Sequence, residues 1–307
     1  MRIAIIGAGG TGGYFGGLLA RSGEKVSFLA RGTQLAALRT HGLTVKSRLA
    51  GTFSLPVHAT SDPQEIGAVD LVLFCVKTYV TRAASLGLHL LMGPEAVVLP
   101  IQNGIDAAEQ LGRQVGMQHL VGGVAYVTSQ IESPGVIAQT AGSGSIELGE
   151  LAGGQSERTR RVQQVLRHAG IRAELPPDIR VTLWEKFLFI CAFSGVTALT
   201  RLPLGRIFAY PETSGLLTAV LKEGEAVSRA SDSALPMDIV ERSYAALQAL
   251  EPEVMGSMAV DLLAGRRLEL EALNGAMVRL GHEHGLSLPF NAAMYAALKP
   301  YANGALR

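Results

Sequence analysis

The sequence predicts an α/β chain in two parts, a doubly wound parallel sheet followed by an all-helical C-terminal half. Three observations predict it. Residues 3–17, IAIIGAGGTGGYFGG, pass from an apolar run into seven glycines within eleven positions. As far as about Ala173, short strand-like apolar runs alternate with stretches of helical length. After Pro176-Pro177 long helical patterns take over. The expected division is 1–176 and 177–307, which suits a 307-residue chain, longer than one ordinary domain.

The elements follow in order. RIAIIG is a first strand ending in glycine, and KVSFLA a second, reached through a helical stretch closed by Ser22 and Gly23. DLVLFCVK (70–77) and AVVLPIQ (96–102) are nearly continuous apolar runs, as strands covered on both faces should be. TYVTRAASLGLHLL between them has helical length. Such alternation argues for parallel pairing. From GLTVKS to LPVHAT the chain reads as an extended excursion with a turn near Ala50-Gly51. VGGVAYVTSQ, GVIAQTA and SIELGEL are expected as three further strands, an antiparallel extension. The double proline marks the boundary, and helices are expected over 178–198, 211–230, 237–250 and 270–283.

Composition narrows the function. At 48% hydrophobic and 17% charged, the chain has the apolar material for real cores and too few charges for disorder. A formal net charge of +1 gives no reason to expect nucleic acid or an anionic membrane as partner. Cys75 and Cys191 each lie in an apolar run, which favours buried thiols over a disulfide. Seven scattered histidines form no Cys/His cluster, so no metal site is expected. Arg2 precedes only four apolar residues, too few for a signal-peptide core, and no charge-free run of eighteen apolar residues occurs. A soluble, cytoplasmic protein is expected.

The glycine-rich opening fits a dinucleotide fingerprint of the Rossmann type, Gly7-Ala8-Gly9-Gly10-Thr11-Gly12. Its first glycine permits the tight turn after the strand, the second lets backbone approach a pyrophosphate, and the third allows close helix–sheet packing. Amides near Gly10 and Thr11 would face the phosphates from the positive helix end. A flexible glycine turn is the plainer alternative; the apolar strand before it and the helix after it favour cofactor binding. Gly13, Gly16 and Gly17 lie beyond the fingerprint and read as further close packing. An NAD site expects a carboxylate near the end of the second strand. Here that strand ends FLAR, with Arg31 and nearby Thr33. A guanidinium suits a 2′-phosphate, although a lone arginine is often merely solvated. NADP(H) is the expected cofactor.

Two turns after apolar strands carry candidate side chains, Lys77 in FCVKTY and Asn103-Gly104 in PIQNGID. Downstream, TLWEKFLFICAF sets Lys186 in a markedly apolar helix. It either snorkels outward or faces a cleft with a lowered pKa, as a proton donor needs. GSMAVDLLAGRRLELEALNG supplies Ser257, Glu269, Glu271 and Asn274, any of which would ordinarily be a cap or a solvated face.

Taken together, the glycine motif, VKTY, LPIQNG, WEKF and SM…D…GRRLELEALNG occur in the order found in ketopantoate reductases (2-dehydropantoate 2-reductases), which the chain resembles from Arg2 to about Pro289. The resemblance implies a Rossmann domain and a helical domain, with NADPH and a 2-oxo acid meeting in the cleft between them. It implies Lys186 as proton donor, Glu269 as its partner carboxylate, Ser257 as a substrate contact, Lys77 beside the cofactor, and Asn103 where nicotinamide and substrate meet. Hydride attack on a ketone builds charge on oxygen, which a fixed ammonium can stabilise and protonate. Three positions depart from the family: Ile190, Ser194 and Leu204 stand where asparagines often hold the substrate. Ser194 stays with Asn103 and Ser257 among the candidate substrate contacts. Reduction of 2-dehydropantoate to pantoate is the first expectation, and a bulkier or less hydroxylated 2-oxo acid the second. A β-hydroxyacid dehydrogenase and a non-catalytic NADP-binding sensor are the other readings. A homodimer is left open.

Overall fold

The computed structural model describes residues 1–305, which divide into two compact units. The first takes in Met1–Gln102 and Asp106–Thr182; the second takes in Asn103–Ile105 and the chain from Leu183 onward. The first unit runs past Pro176-Pro177 as far as Thr182, because the first helical turn after the prolines packs on it. A Cβ at Gly122 would lie 2.9 Å, and one at Gly149 3.0 Å, from side-chain carbons of Ile179.

In the first unit the strands are β1 (Arg2–Ile6), β2 (Lys25–Leu29), β3 (Leu43–Ser47), β4 (Gly51–Leu55), β5 (His58–Thr60), β6 (Val69–Phe74), β7 (Met92–Pro100), β8 (Gly122–Ser133), β9 (Val136–Gly149) and β10 (Arg172–Glu174). They are joined by helices α1 (Gly10–Arg21), α2 (Gly32–His41), α3 (Thr81–Ser85), α4 (Ala107–Val115) and α5 (Glu157–His168). One sheet has the order β5-β2-β1-β6-β7, every pair parallel. The order reverses direction at β1 and β6, the switch point where open α/β sheets bind ligands. Its strands are apolar at successive positions because both faces are buried. Ile3, Ile5, Leu71, Leu73, Val97 and Leu99 enter one core, while Ala4, Ile6, Val72, Phe74 and Val98 enter the other.

The excursion divides: β5 joins this sheet, whereas β3 and β4 do not. The strands expected as an extension, β8 and β9, are not part of it either; with β3, β4 and β10 they form a second, mixed sheet of order β10-β9-β3-β4 with β8 also on β9. Pairs β3–β4 and β8–β9 are antiparallel, but β9 runs parallel to β3 and β10. GVIAQTA and SIELGEL are one strand, not two. Gly142 and Gly144 take positive φ (81° and 65°), and the β8 pairing shifts register there instead of ending. TYVTRAASLGLHLL is likewise not a single helix: a 3-10 turn at Thr78–Val80, the short α3 and a second 3-10 turn at Leu88–Leu91 replace it. Gly87 interrupts it, packed where a Cβ would lie 2.7 Å from Pro63, and the second turn puts Leu88 and Leu91 in the core.

Helix α1 lies between the two sheets, which explains its glycines. A Cβ at Gly16 would lie 2.6 Å from Phe28 of the first sheet. At Gly13 it would lie 2.6 Å from Ile137, and at Gly17 2.9 Å from Val45, both of the second sheet.

Helix α6 (Ile179–Thr200) leads into the second unit, which is helical: α7 (Leu204–Phe208), α8 (Pro211–Ala230), α9 (Ile239–Gln248), α10 (Ser257–Leu263), α11 (Asn274–Glu283) and α12 (Pro289–Leu298). The expected helix over 270–283 is split into a 3-10 turn at Leu270–Ala272 and α11. Among the described residues only α6 is long and apolar enough to cross a membrane, with a mean hydropathy of 1.3. It is 61% buried inside the protein, as a core helix is.

Candidate active site

The fingerprint loop is built by space. Gly7 has φ +97°, a left-handed backbone that favours glycine, and a Cβ there would lie 2.7 Å from Val76. A Cβ on Gly12 would collide with the Gly7 carbonyl oxygen, and one on Gly10 with the Ser129 carbonyl of β8. Gly9 differs, for a Cβ there would meet nothing within 4 Å. The loop therefore presents bare backbone to open space at its second glycine and opens α1, whose first N–H groups have no intrahelical acceptor. This fits a pyrophosphate. Ala8 is buried and Thr11 half-buried beside it.

Arg31 is exposed just past the carboxyl end of β2 and opens α2. Lys77 is exposed after β6 and opens the 3-10 turn at Thr78–Val80. That turn is tied to the neighbouring strand by Gln102, a residue of LPIQNG to which the sequence alone assigns no role. Its Nε2 donates to the Val76 carbonyl at 2.7 Å and to the Thr81 hydroxyl at 2.8 Å.

In the second unit three expected residues converge. Lys186 is half-buried on α6, among Phe187, Leu188, Phe189 and Ile190. Desolvation pushes its pKa down to about 8, while the Glu269 carboxylate works in the opposite direction. Glu269 is 5% exposed and accepts a 3.1 Å hydrogen bond from Asn103 Nδ2. Gly104 lets this turn come close: its φ is +88° and a Cβ would lie 2.7 Å from the Ala272 carbonyl. The arrangement is an ammonium poised to lose a proton near neutral pH, with a carboxylate fixed by an amide.

The other candidates separate. Ser257 is exposed at the start of α10. Gly256 just before it donates its N–H to Thr197 Oγ1 of α6 at 3.1 Å, and a Cβ on Gly256 would lie 2.5 Å from Ser194 Cα. Ser194 is fully buried under that contact, and its hydroxyl has no hydrogen-bond partner. It stands at a packing position that lets Gly256 approach. Leu204 is core, and Ile190 is half-buried. Asn274 is fully buried and donates to the Cys191 carbonyl at 3.2 Å and to Asn291 Oδ1 at 3.1 Å; Asn291 in turn donates to Glu223 at 2.8 Å. This chain ties α11, α12 and α8 to α6, which carries Lys186. Glu271 pairs on the surface with Lys299 and Tyr295. Asn274 is a candidate from sequence, but its partners Asn291 and Glu223, like Thr197, are not legible there, since lone residues of these types carry no spacing signal.

Two family models match, ketopantoate reductase PanE/ApbA over residues 3–153 and its C-terminal part over residues 178–302. The chain belongs to the ketopantoate reductase family. A 2-dehydropantoate 2-reductase of Archaeoglobus fulgidus is 31% identical over 99% of this chain and 98% of its own. The crystal structure of 2-dehydropantoate 2-reductase from Geobacter metallireducens GS-15 superposes with a TM-score of 0.90 at 32% identity, covering 97% of this chain and 99% of that one. D-mandelate dehydrogenase, solved with NADH and anilino(oxo)acetate, shares the fold at 22% identity and a TM-score of 0.89, each chain 98% covered. This member of the ketopantoate reductase family is an oxidoreductase acting on CH–OH, of the 2-dehydropantoate 2-reductase type. Among its described residues no group of three or more His, Cys, Asp or Glu is arranged to hold a metal.

Proposed function

We propose that this protein reduces a 2-oxo acid to the 2-hydroxy acid with NADPH, 2-dehydropantoate being the first substrate to test. The observation that carries the reading is the half-buried Lys186, its pKa pushed down to about 8, beside a Glu269 held by Asn103. The loop at Gly7, Ala8, Gly9, Gly10, Thr11 and Gly12 would hold the pyrophosphate, Lys77 and Asn103 would lie along the cofactor, and Arg31 would take the 2′-phosphate. No carboxylate stands at the end of β2, where one would select NADH. When bound, the cofactor supplies hydride. The Lys186 ammonium stabilises the charge growing on the carbonyl oxygen and gives that oxygen the proton from Nζ. Glu269 keeps the Nζ charged at neutral pH against desolvation and favours its reprotonation from solvent after turnover, while Asn103 fixes the carboxylate. Ser257 and Asn103 are the proposed substrate contacts.

A second substrate reading rests on Ile190, Ser194 and Leu204. With Leu204 in the core and Ser194 sealed by Gly256, amide contacts to substrate hydroxyls are missing there. Such a pocket discriminates weakly in favour of a hydroxylated substrate. The deciding experiment is NADPH oxidation over 2-oxo acids graded in branching and hydroxylation. A kcat/KM for 2-dehydropantoate within about tenfold of apolar branched analogues is expected; a preference of several orders of magnitude would restore a dedicated hydroxyl-reading pocket.

A further inference from the structure

We infer that Gln34 is a positioning residue for the dinucleotide loop, an inference that rests on the reading of residues 7–12 as the cofactor cradle. Gln34 lies in the first turn of α2, three residues after Arg31, and is half-buried. Its amide is used at both ends. Nε2 donates to the Ala8 carbonyl oxygen at 2.9 Å, and Oε1 accepts from the Gly135 N–H at 3.0 Å. Both partners are backbone groups of buried residues, and buried backbone groups must find a hydrogen bond. Gly135 is itself anchored, since its carbonyl accepts from Thr44 N of β3 at 2.9 Å. One side chain thus ties the fingerprint loop to the turn between β8 and β9.

The tie acts on the peptide that matters. A trans peptide holds its C=O and N–H antiparallel in one plane. Fixing the Ala8 carbonyl toward Gln34 therefore fixes the Gly9 N–H in the opposite direction, at the one loop glycine whose Cβ position is open. Without that bond the Ala8–Gly9 plane can rotate, and the loop loses its preset donor. Only an amide offers a donor and an acceptor at this reach; glutamate supplies no proton to Ala8, and methionine supplies neither group. Because the pyrophosphate is common to both cofactors, the effect should not distinguish NADPH from NADH.

The test compares Gln34→Met and Gln34→Asn with the parent. NADPH and NADH binding are measured by cofactor fluorescence, alongside hydrogen exchange of the segments around residues 6–12 and 133–137. Both variants should raise the dissociation constants of both cofactors by about five- to tenfold and equally, the scale of one lost orienting hydrogen bond. The Gly135 amide should exchange faster, while kcat on 2-dehydropantoate at saturating NADPH and the KM for that acid stay within about twofold. Arg31→Ala, by contrast, should change the NADPH to NADH ratio. Dissociation constants within twofold of the parent in a folded variant would overturn the role, as would weakening confined to NADPH. Should Gln34→Met not fold, Gln34→Asn, which keeps the amide but cannot span both partners, decides the same question. A parent that binds neither cofactor would remove the cradle reading itself, and with it this inference.

Discussion

Helices α1 and α6 are both largely buried and both sit at the centre of the proposed chemistry, yet they are built on opposite plans. Helix α1 has almost no side chain where it works. Its five glycines let two sheets and a carbonyl come within contact distance, and the groups it offers a ligand are backbone amides. Helix α6 is crowded with large apolar side chains and offers one cationic nitrogen whose protonation is set by its surroundings. The function proposed for α1 rests on exclusion of volume; that proposed for α6 rests on a balance between desolvation and one neighbouring carboxylate.

The contrast is broken most severely at Lys186. Lys186→Ala should lower kcat by about 10²–10⁴-fold, the usual share of general acid catalysis. Lys186→Gln, one atom shorter, keeps a hydrogen-bond donor but has no acidic proton to give, and should fall nearly as far. NADPH affinity, measured by fluorescence, should move much less in both. Turnover of Lys186→Ala within a few-fold of the parent would mean that the proton comes from another group.

Next come paired substitutions in the loop. Gly12→Ala puts a methyl into the Gly7 carbonyl and should destabilise the protein by about 3 kcal/mol, read as a lowered unfolding midpoint. Gly9→Ala has ordinary φ (−79°) and open space, so stability should change by less than about 0.5 kcal/mol. Its NADPH dissociation constant should nevertheless rise about tenfold or more, because the methyl occupies the space a phosphate needs. Parent-like NADPH affinity in Gly9→Ala would show that nothing approaches the loop there.

The smallest effect sharpens the electrostatic half. With Lys186 near 8, the ammonium is lost as pH rises through 8, so kcat for reduction should be level below that and fall about tenfold per pH unit above it. Glu269→Gln keeps an oxygen for Asn103 but removes the charge that raises the Lys186 pKa. Desolvation then acts alone, and the falling limb should move to lower pH. A limb that stays in place would show that Glu269 does not govern the lysine.

The same two helices mark how far the sequence can be read. Gly7, Gly9 and Gly12 are legible because a strand, a tight turn and a helix start leave only glycine at those places, and the spacing itself carries the chemistry. Sequence alone assigns Gly10 to phosphate binding, whereas a contact with Ser129, more than a hundred residues away, also demands it. Lys186 and Glu269 come from the family resemblance. On α6 alone, a lysine among phenylalanines reads equally well as a snorkelling surface residue. The burial of Ser194 is not legible in the sequence because it depends on Gly256, which arrives from another part of the chain. The second sheet reads as an extension of the first because strand patterns state which residues are apolar, not which strand they pair with. Gly142 and Gly144 look like a break because a register shift and a chain turn use the same residues.

The poverty of side chains on α1 also bears on the order in which the protein assembles. Each glycine in a helix interior costs about 1 kcal/mol relative to alanine, so a segment with five of them in twelve residues has no tendency to coil by itself. It becomes a helix only when Phe28, Val45 and Ile137 are already gathered around it, and Ile137 lies over a hundred residues downstream of Gly13. The proposed dinucleotide cradle is therefore expected to close late, through long-range contacts, and not to nucleate folding. A ligand that binds only the finished cradle draws the closed state forward by mass action, so cofactor supply would act on the yield of folded protein as well as on turnover.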